Sequence, residues 1–133
     1  MAIDLDQARV VARKMLERRV RVASESLRST IYDTLERYRV GSGIQWPGNP
    51  NPSSAPGDPP ARQTGHLMES VRYFYDVATL RSVVGPFEKG ASIDNPISVP
   101  YATPLEYGAP LRNLKPRPFM RRSLAEFKQR WGR

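Results

Sequence analysis

Apolar residues recur every three or four positions along the first forty residues. This spacing, the period of an α-helix, joins Ala12, Leu16, Val20, Ala23, Leu27, Ile31, Leu35 and Tyr38. Asp4 can cap the start of a helix, with Gln7 in the capping-box position, and Gly41 and Gly43 supply a stop. The pattern predicts one long helix or two collinear helices over residues 4–39.

Such a helix is longer than the rest of the chain can cover. At 1.5 Å per residue it spans about 50 Å, whereas the remaining residues form a body only about 30 Å across. Part of the apolar face must then contact another molecule. The alternative is a bend near Ser24 to Ser29 that folds the helix back on its own domain.

The middle of the chain predicts a loop and a small sheet. Residues 41–63 hold six of the 13 prolines, which predicts an irregular loop in which Trp46 is either an anchor or a contact residue. Residues 71–77 alternate in the period of a strand, and residues 80–84 return as a second strand. Residues 96–99 are a candidate third strand.

A proline-rich stretch then leads into a second helix. Gly108 ends a predicted helical turn that begins near Tyr101, because a glycine just past a helix adopts the left-handed conformation freely. Prolines on both sides of Arg117 hold the chain extended and place Phe119 in the core. The following helical period passes through Met120, Leu124, Phe127 and Trp131.

The sequence therefore predicts a single α+β domain over residues 1–133. It consists of a long N-terminal helix, a small antiparallel sheet over residues 70–104 and a C-terminal helix. Residues 1–40 form a helical arm, residues 41–63 a proline-rich loop, and residues 64–133 an α+β body.

The positive charge is concentrated at the C-terminal end. The net charge is +8, and residues 111–133 hold eight Lys or Arg against one Asp or Glu. The predicted basic patch consists of Arg117, Arg121, Arg122, Lys128 and Arg130. Such a patch attracts DNA or an acidic protein surface. The alternative is a solvated helix face.

Several classes of protein are disfavoured by composition. The chain has no cysteine, which excludes disulfides and cysteine-based metal sites. His66, with Glu69 three residues later, is the one candidate acid–base pair, and a lone histidine after a loop is far more often a capping or surface residue. We expect no catalytic residue, no metal and no cofactor. No stretch has the apolar length of a signal peptide or a membrane span, so we expect a soluble protein.

Four short motifs follow one another between residues 57 and 125. They are GDPPARQTGHLMESV, VVGP, YATPLEYG and PRPFMRRSL. In this order and at these spacings the chain resembles the small tail-completion or neck proteins of long-tailed bacteriophages, the family that includes minor tail proteins of the lambda type. The long N-terminal helix and the inserted LRNLK depart from the family's pattern, which leaves their interfaces open.

The resemblance implies a virion component between the head connector and the tail tube, arranged as a ring of six subunits. It is then found in the tail or neck of the virion, and in the host cytoplasm during assembly. Its partners are further copies of itself, the head connector or stopper, and the tail terminator or tail tube proteins, with transient contact to genomic DNA and no membrane. No catalytic residue comes with the resemblance.

The resemblance implies that the residues at the matching positions of the motifs determine the fold. They are Pro60, Thr64, Gly65, Leu67, Ser70, Tyr101, Glu106, Gly108, Pro118, Phe119 and Leu124. The predicted interface with other subunits or partners consists of Leu16, Leu27, Leu35, Trp46 and Glu106.

The alternative function is a nucleic-acid-binding module without sequence preference, in which aromatic residues such as Trp131 stack between the basic side chains.

Overall fold

The N-terminal helix forms as one uninterrupted element. In a computed structural model of the chain, which describes residues 2–131, helix α1 spans Leu5–Arg37. The Asp4 carboxylate accepts the backbone N–H groups of Asp6 at 3.0 Å and Gln7 at 3.3 Å. These bonds satisfy donors that the first turn of a helix leaves unpaired. The predicted long helix and its cap are therefore confirmed.

The alternative of a bend near Ser24 to Ser29 is wrong. Ser24 and Thr30 donate their hydroxyls to helix carbonyls four residues earlier, at 2.7 Å and 2.9 Å. Bonds of this kind often bend a helix, but α1 continues through both residues without a break. The Ser24 hydroxyl also lies 2.5 Å from that of Ser82. These polar residues therefore attach the helix to the body instead of interrupting it.

A β-hairpin follows the short helix α2 (His66–Ser70). Strand β1 (Val71–Asp76) pairs antiparallel with strand β2 (Arg81–Pro86), and the register sets Tyr73 opposite Val84. Both predicted strands are present, although the second runs two residues further than expected. The hairpin packs against α1, which covers one of its faces.

Residues 96–99 do not form the predicted third strand. They make one antiparallel bridge, between Phe87 and Ser98. The segment begins at Pro96 and is followed by Pro100, and a proline has no N–H to donate to a ladder. The two-stranded hairpin is therefore the sheet of the described chain, and the expected span of residues 70–104 is wrong.

The last two helices follow the predicted pattern. Helix α3 spans Ala102–Tyr107 and ends at Gly108. Its φ of 82° and ψ of 170° differ from the expected left-handed helical conformation, but they lie in a positive-φ region that is open essentially to glycine alone. A 3-10 turn at Pro110–Arg112 then precedes an extended segment. Helix α4 spans Met120–Trp131. Together with α1 and the hairpin these elements give the predicted α+β fold.

The hydrophobic core lies where the C-terminal half of α1 meets the hairpin, α3 and α4. Its buried apolar residues are Ile31, Leu35, Met68, Val71, Val99, Ala102 and Phe119. Phe119 is completely buried, as predicted for the residue that the prolines place before α4. The core residues contributed by α1 all come after residue 30. The first half of α1 therefore lies outside the core.

Residues 41–63 are irregular, as predicted, but they bond to themselves. The Gly43 N–H donates to the Ser53 carbonyl at 2.7 Å, and the Ser53 N–H donates to the Ile44 carbonyl at 2.9 Å. Trp46 is 54% exposed. It is therefore not an anchor of the loop, and its remaining predicted role is that of a contact residue.

Candidate interaction surface

The first half of α1 presents apolar side chains to solvent. Its exposed apolar residues are Leu5, Val10, Val11, Met15, Leu16 and Val22, and Ile3, which precedes the helix, is exposed as well. Their exposed fractions run from 42% at Val22 to 78% at Ile3. Scattered exposed apolar residues are normal, but a contiguous apolar patch marks an interaction site. These residues are the largest group of exposed apolar residues contributed by a single element among residues 2–131. At 100° per residue, Val11, Met15 and Val22 fall within about 40° of one another and form an apolar strip on one side of the helix.

Arg13 fixes the place where α1 leaves the body. Its guanidinium donates to the carbonyls of Val77 and Ala78, at 2.6 Å and 2.7 Å, in the turn between the two strands. Met15 and Val22 come two and nine residues later, so at 100° per residue they lie roughly 160° and 180° around the helix from Arg13. The hairpin turn therefore covers one side of α1 and leaves the opposite side uncovered.

An apolar groove runs along the uncovered side of α1 and ends at α4. The groove is lined by Ala12, Met15, Leu16, Arg18, Arg19, Val22 and Trp131. Trp131 stacks on Phe127, with ring centroids 5.6 Å apart, and the Arg19 guanidinium lies 5.1 Å from the Trp131 ring centroid. A guanidinium in this position is attracted to the face of the indole ring. The groove therefore has an apolar floor, an aromatic end wall and two arginines.

The five residues of the predicted interface lie in different environments. Leu16 lines the groove and is half exposed, and Trp46 is exposed on the proline-rich loop. Leu27 packs against the core, and Leu35 is 2% exposed within it. Glu106 is also buried, at 4% exposure. Leu35 and Glu106 were therefore wrongly placed in the interface, because the subunit's own core already surrounds them.

The Glu106 carboxylate caps the start of α4. It accepts the backbone N–H groups of Phe119 at 2.8 Å, Met120 at 2.9 Å and Arg121 at 3.0 Å. The Arg121 side chain adds an ion pair at 2.9 Å through Nε. Burial raises the pKa of Glu106, but these hydrogen bonds outweigh it and hold the pKa below its ordinary value. The charge of Glu106 is therefore used to join α3 to α4.

The predicted basic patch does not form one surface. Arg121 and Lys128 are seven residues apart, which sets them roughly 20° apart around α4, while Arg122 and Arg130 project to other sides. Arg122 donates to the Tyr38 hydroxyl at 2.7 Å, and Arg130 pairs with Glu126 at 2.6 Å.

Arg117, in the extended segment before α4, donates to backbone carbonyls, including that of Ser54 at 3.4 Å. Arg121 bonds to Glu106. Lys128 is exposed, and within the described chain no hydrogen bond or ion pair involves it. Four of the five basic residues of the predicted patch thus bond to acceptors of their own subunit.

His66 bonds to Tyr101 and not to Glu69. The His66 Nδ1 and the Tyr101 hydroxyl share a hydrogen bond, which links α2 to the start of α3. Burial raises the pKa of Tyr101, and the nearby Glu88 adds to the effect, so the hydroxyl stays protonated at neutral pH. Among residues 2–131, no three His, Asp or Glu side chains come together as metal ligands. The contact of His66 in this structure is therefore one between helices.

Sequence reasoning missed several polar attachments between α1 and the body, of which three join its second half to the hairpin and to α4. Thr34 and Ser123 share a buried hydrogen bond of 3.0 Å, which holds α1 against α4. The Arg28 guanidinium donates to the Val71 carbonyl at 3.0 Å. Ser24 and Ser82, described above, form the third. The one signal in the sequence is a set of serine and threonine residues beside the apolar stripe of α1, which also fits a solvated face.

None of the known protein families, curated proteins or solved structures matches this chain. Within residues 2–131, no helix combines the length and the apolar character that crossing a membrane requires.

Proposed function

We propose that this chain is a structural protein of a tailed-phage virion. In this proposal it completes the head-proximal end of the tail or the neck and joins head to tail, without catalysis. It assembles as a hexameric ring, in contact with the head connector or stopper on one side and with the tail terminator or tail tube on the other. The proposal takes the type of assembly from the motif resemblance between residues 57 and 125.

The observation that carries the proposal is the uncovered apolar face of α1. Leu16 is 50% exposed, although it lies on the apolar stripe whose later members Ile31 and Leu35 are buried. Met15, the residue before it, is 67% exposed. An apolar face that its own domain leaves in water is typical of a protein that functions in an assembly. An assembly protein therefore accounts for a surface that a free monomer does not need.

The motif residues support the same proposal through the fold. Glu106 and Gly108 lie at the end of α3, and Phe119 immediately precedes α4, so the third and fourth motifs together build the junction of the two helices. This is the role of fold determinants that the resemblance implies for them.

The second candidate is a nucleic-acid-binding module, favoured by the exposed side chains of Lys128 and Arg130 near the Phe127 and Trp131 rings. Against it, those two rings stack on each other, and Arg19 lies over the Trp131 ring. Most of the basic side chains of the predicted patch also bond within the subunit. In a neck protein the same charges give only weak attraction to the genome that passes through the channel.

Two measurements separate these functions. The first is the location of the tagged protein in phage particles by electron microscopy, where the proposal expects it at the junction of head and tail. The second is DNA affinity against salt concentration. Submicromolar affinity for DNA at physiological salt, with a steep fall of the binding constant as salt concentration rises, favours the DNA-binding module. Such affinity in a protein that is not found at the junction of head and tail would overturn the proposal.

A further inference from the structure

The N-terminal end of α1 and the groove have opposite charges and matching apolar surfaces. The acidic end consists of Ile3, Asp4, Leu5 and Asp6, and all four residues are exposed. Ile3 and Leu5 are 78% and 73% exposed, so two large apolar side chains lie beside two carboxylates. The groove has the complementary set, with an apolar floor and two arginines.

The acidic end cannot reach the groove of its own chain. Asp6 and Arg18 lie on one uninterrupted helix, 12 residues apart, and at 1.5 Å per residue they are about 18 Å apart along its axis. A helix cannot fold back on itself without breaking. Any contact between these two surfaces must therefore come from a second copy of the chain.

We propose that the acidic end of α1 in one subunit docks in the groove of the next subunit. Ile3 and Leu5 then cover Met15, Leu16 and Trp131, and the Asp6 carboxylate approaches the two groove arginines. Burial of the apolar side chains supplies the affinity, while the opposite charges set the orientation and suppress other pairings. Asp4 keeps its role as the helix cap, whereas the Asp6 carboxylate has no hydrogen bond or ion pair within residues 2–131.

This contact joins two different surfaces, so each subunit contacts one neighbour through its acidic end and another through its groove. A head-to-tail contact of this kind produces a ring when the rotation closes and an open filament when it does not. The inference rests on the proposed ring and adds the contact that would hold it together. It also accounts for an α1 that extends beyond the body by more than two turns before Arg13.

Two double variants test the contact. The end variant carries Leu5→Ser and Asp6→Ser, and the groove variant carries Leu16→Ser and Arg18→Ser. Each removes one apolar and one charged contact without creating a new charge. The matched control carries Leu111→Ser and Arg112→Ser, the same residue types as the groove variant at fully exposed positions on the 3-10 turn. All three keep the melting temperature of the parent, since the altered side chains lie outside the core.

The measurement is mass by sedimentation over a range of concentrations. The parent and the control assemble beyond two subunits, and each of the other variants alone assembles at least about tenfold more weakly, as expected for loss of a central contact. A mixture of the end variant and the groove variant forms a 1:1 dimer and grows no further. The reason is that the first retains an intact groove and the second an intact end.

Four outcomes overturn the inference. The first is a parent that stays monomeric up to about 1 mM, which would set Kd above that value. The second is a parent that stops at two subunits, which indicates symmetric pairing of α1. The third is an end variant that assembles like the parent, and the fourth is a mixture that stays monomeric. The proposed function is judged separately by location in the virion. A protein found at the junction of head and tail whose two variants assemble normally keeps its function and loses this contact.

Discussion

The Glu106 carboxylate accepts the backbone N–H of Phe119 at 2.8 Å, across 13 residues of sequence. The bond fixes the start of α4 against the end of α3 and holds Phe119 in the core. The free N–H groups at the start of a helix carry partial positive charge, so a buried carboxylate is well placed there. A residue expected to contact other subunits is therefore a cap that serves its own fold.

We expect Glu106→Gln to destabilise the domain by about 3 kcal/mol. The amide has one acceptor oxygen where the carboxylate has two, and its NH2 group faces backbone donors, so at least one buried N–H loses its partner. In a domain of this size the loss lowers the melting temperature by roughly 10 °C. Thermal unfolding measures it, with Glu69→Gln as the matched control on an exposed side chain of α2. Equal melting of the two variants would contradict the capping role.

Acid should remove the same stabilisation. The pKa of Glu106 in the folded chain lies below its ordinary value of 4.5, so the unfolded chain binds the proton more readily. Stability then rises with pH wherever the unfolded state holds more protons. The contribution is complete above 4.5 and is lost as the pH falls through the folded pKa. Unfolding by denaturant at several pH values measures it, and Glu106→Gln should show a shallower decline in acid than the parent. If the free energy of unfolding falls equally with pH in the two proteins, Glu106 is not the source of the acid sensitivity.

Phe119→Ala should cost about 3–5 kcal/mol, as is typical for a completely buried phenylalanine. Small domains are stable by about 5–15 kcal/mol, so the variant loses a large part of the total. The midpoint of denaturant unfolding measures the loss. Leu111→Ala is the control, since Leu111 is fully exposed on the 3-10 turn and its truncation should change stability by less than about 0.5 kcal/mol. A Phe119→Ala midpoint close to that of the control would show that the ring is not an anchor.

Much of the fold follows from periodicity and turn chemistry. The helical spacing in α1, the alternation in β1 and the glycine after α3 are local signals, and each predicted its element. The third strand failed because Pro96 and Pro100 have no backbone N–H, which leaves a run of three residues that makes a single bridge instead of a ladder. Local signals therefore predict elements more reliably than they predict pairing.

The candidate surface was predicted only in part. Leu16 and Leu35 both lie on the apolar stripe, so the sequence pattern does not distinguish them. Which of them is buried depends on where the hairpin and α4 meet the helix. The role of Glu106 depends on backbone groups 13 to 15 residues later in the chain. The groove depends on Trp131 reaching the side of α1 near Arg19. Such contacts are set by packing between elements, which no single stretch of sequence encodes.

Two leucines on the same apolar stripe should now respond differently to the same change. Leu27 packs against the core, so Leu27→Asp places a charge against apolar neighbours and should destabilise the domain by several kcal/mol. Leu16 is half exposed in the groove, so Leu16→Asp should leave the melting temperature within a few degrees of the parent. The same charge should weaken assembly, because it would be desolvated in the contact.

The two leucines provide matched controls for each other, since the residue types and the helix are the same. Melting and subunit mass in solution are measured on both variants and on the parent. The expected result is early melting for Leu27→Asp alone, and lost assembly with normal melting for Leu16→Asp. If Leu16→Asp melts as early as Leu27→Asp, the first half of α1 is part of the folded core and the groove is not an interaction surface. If it melts normally and assembles like the parent, the subunits meet through another face.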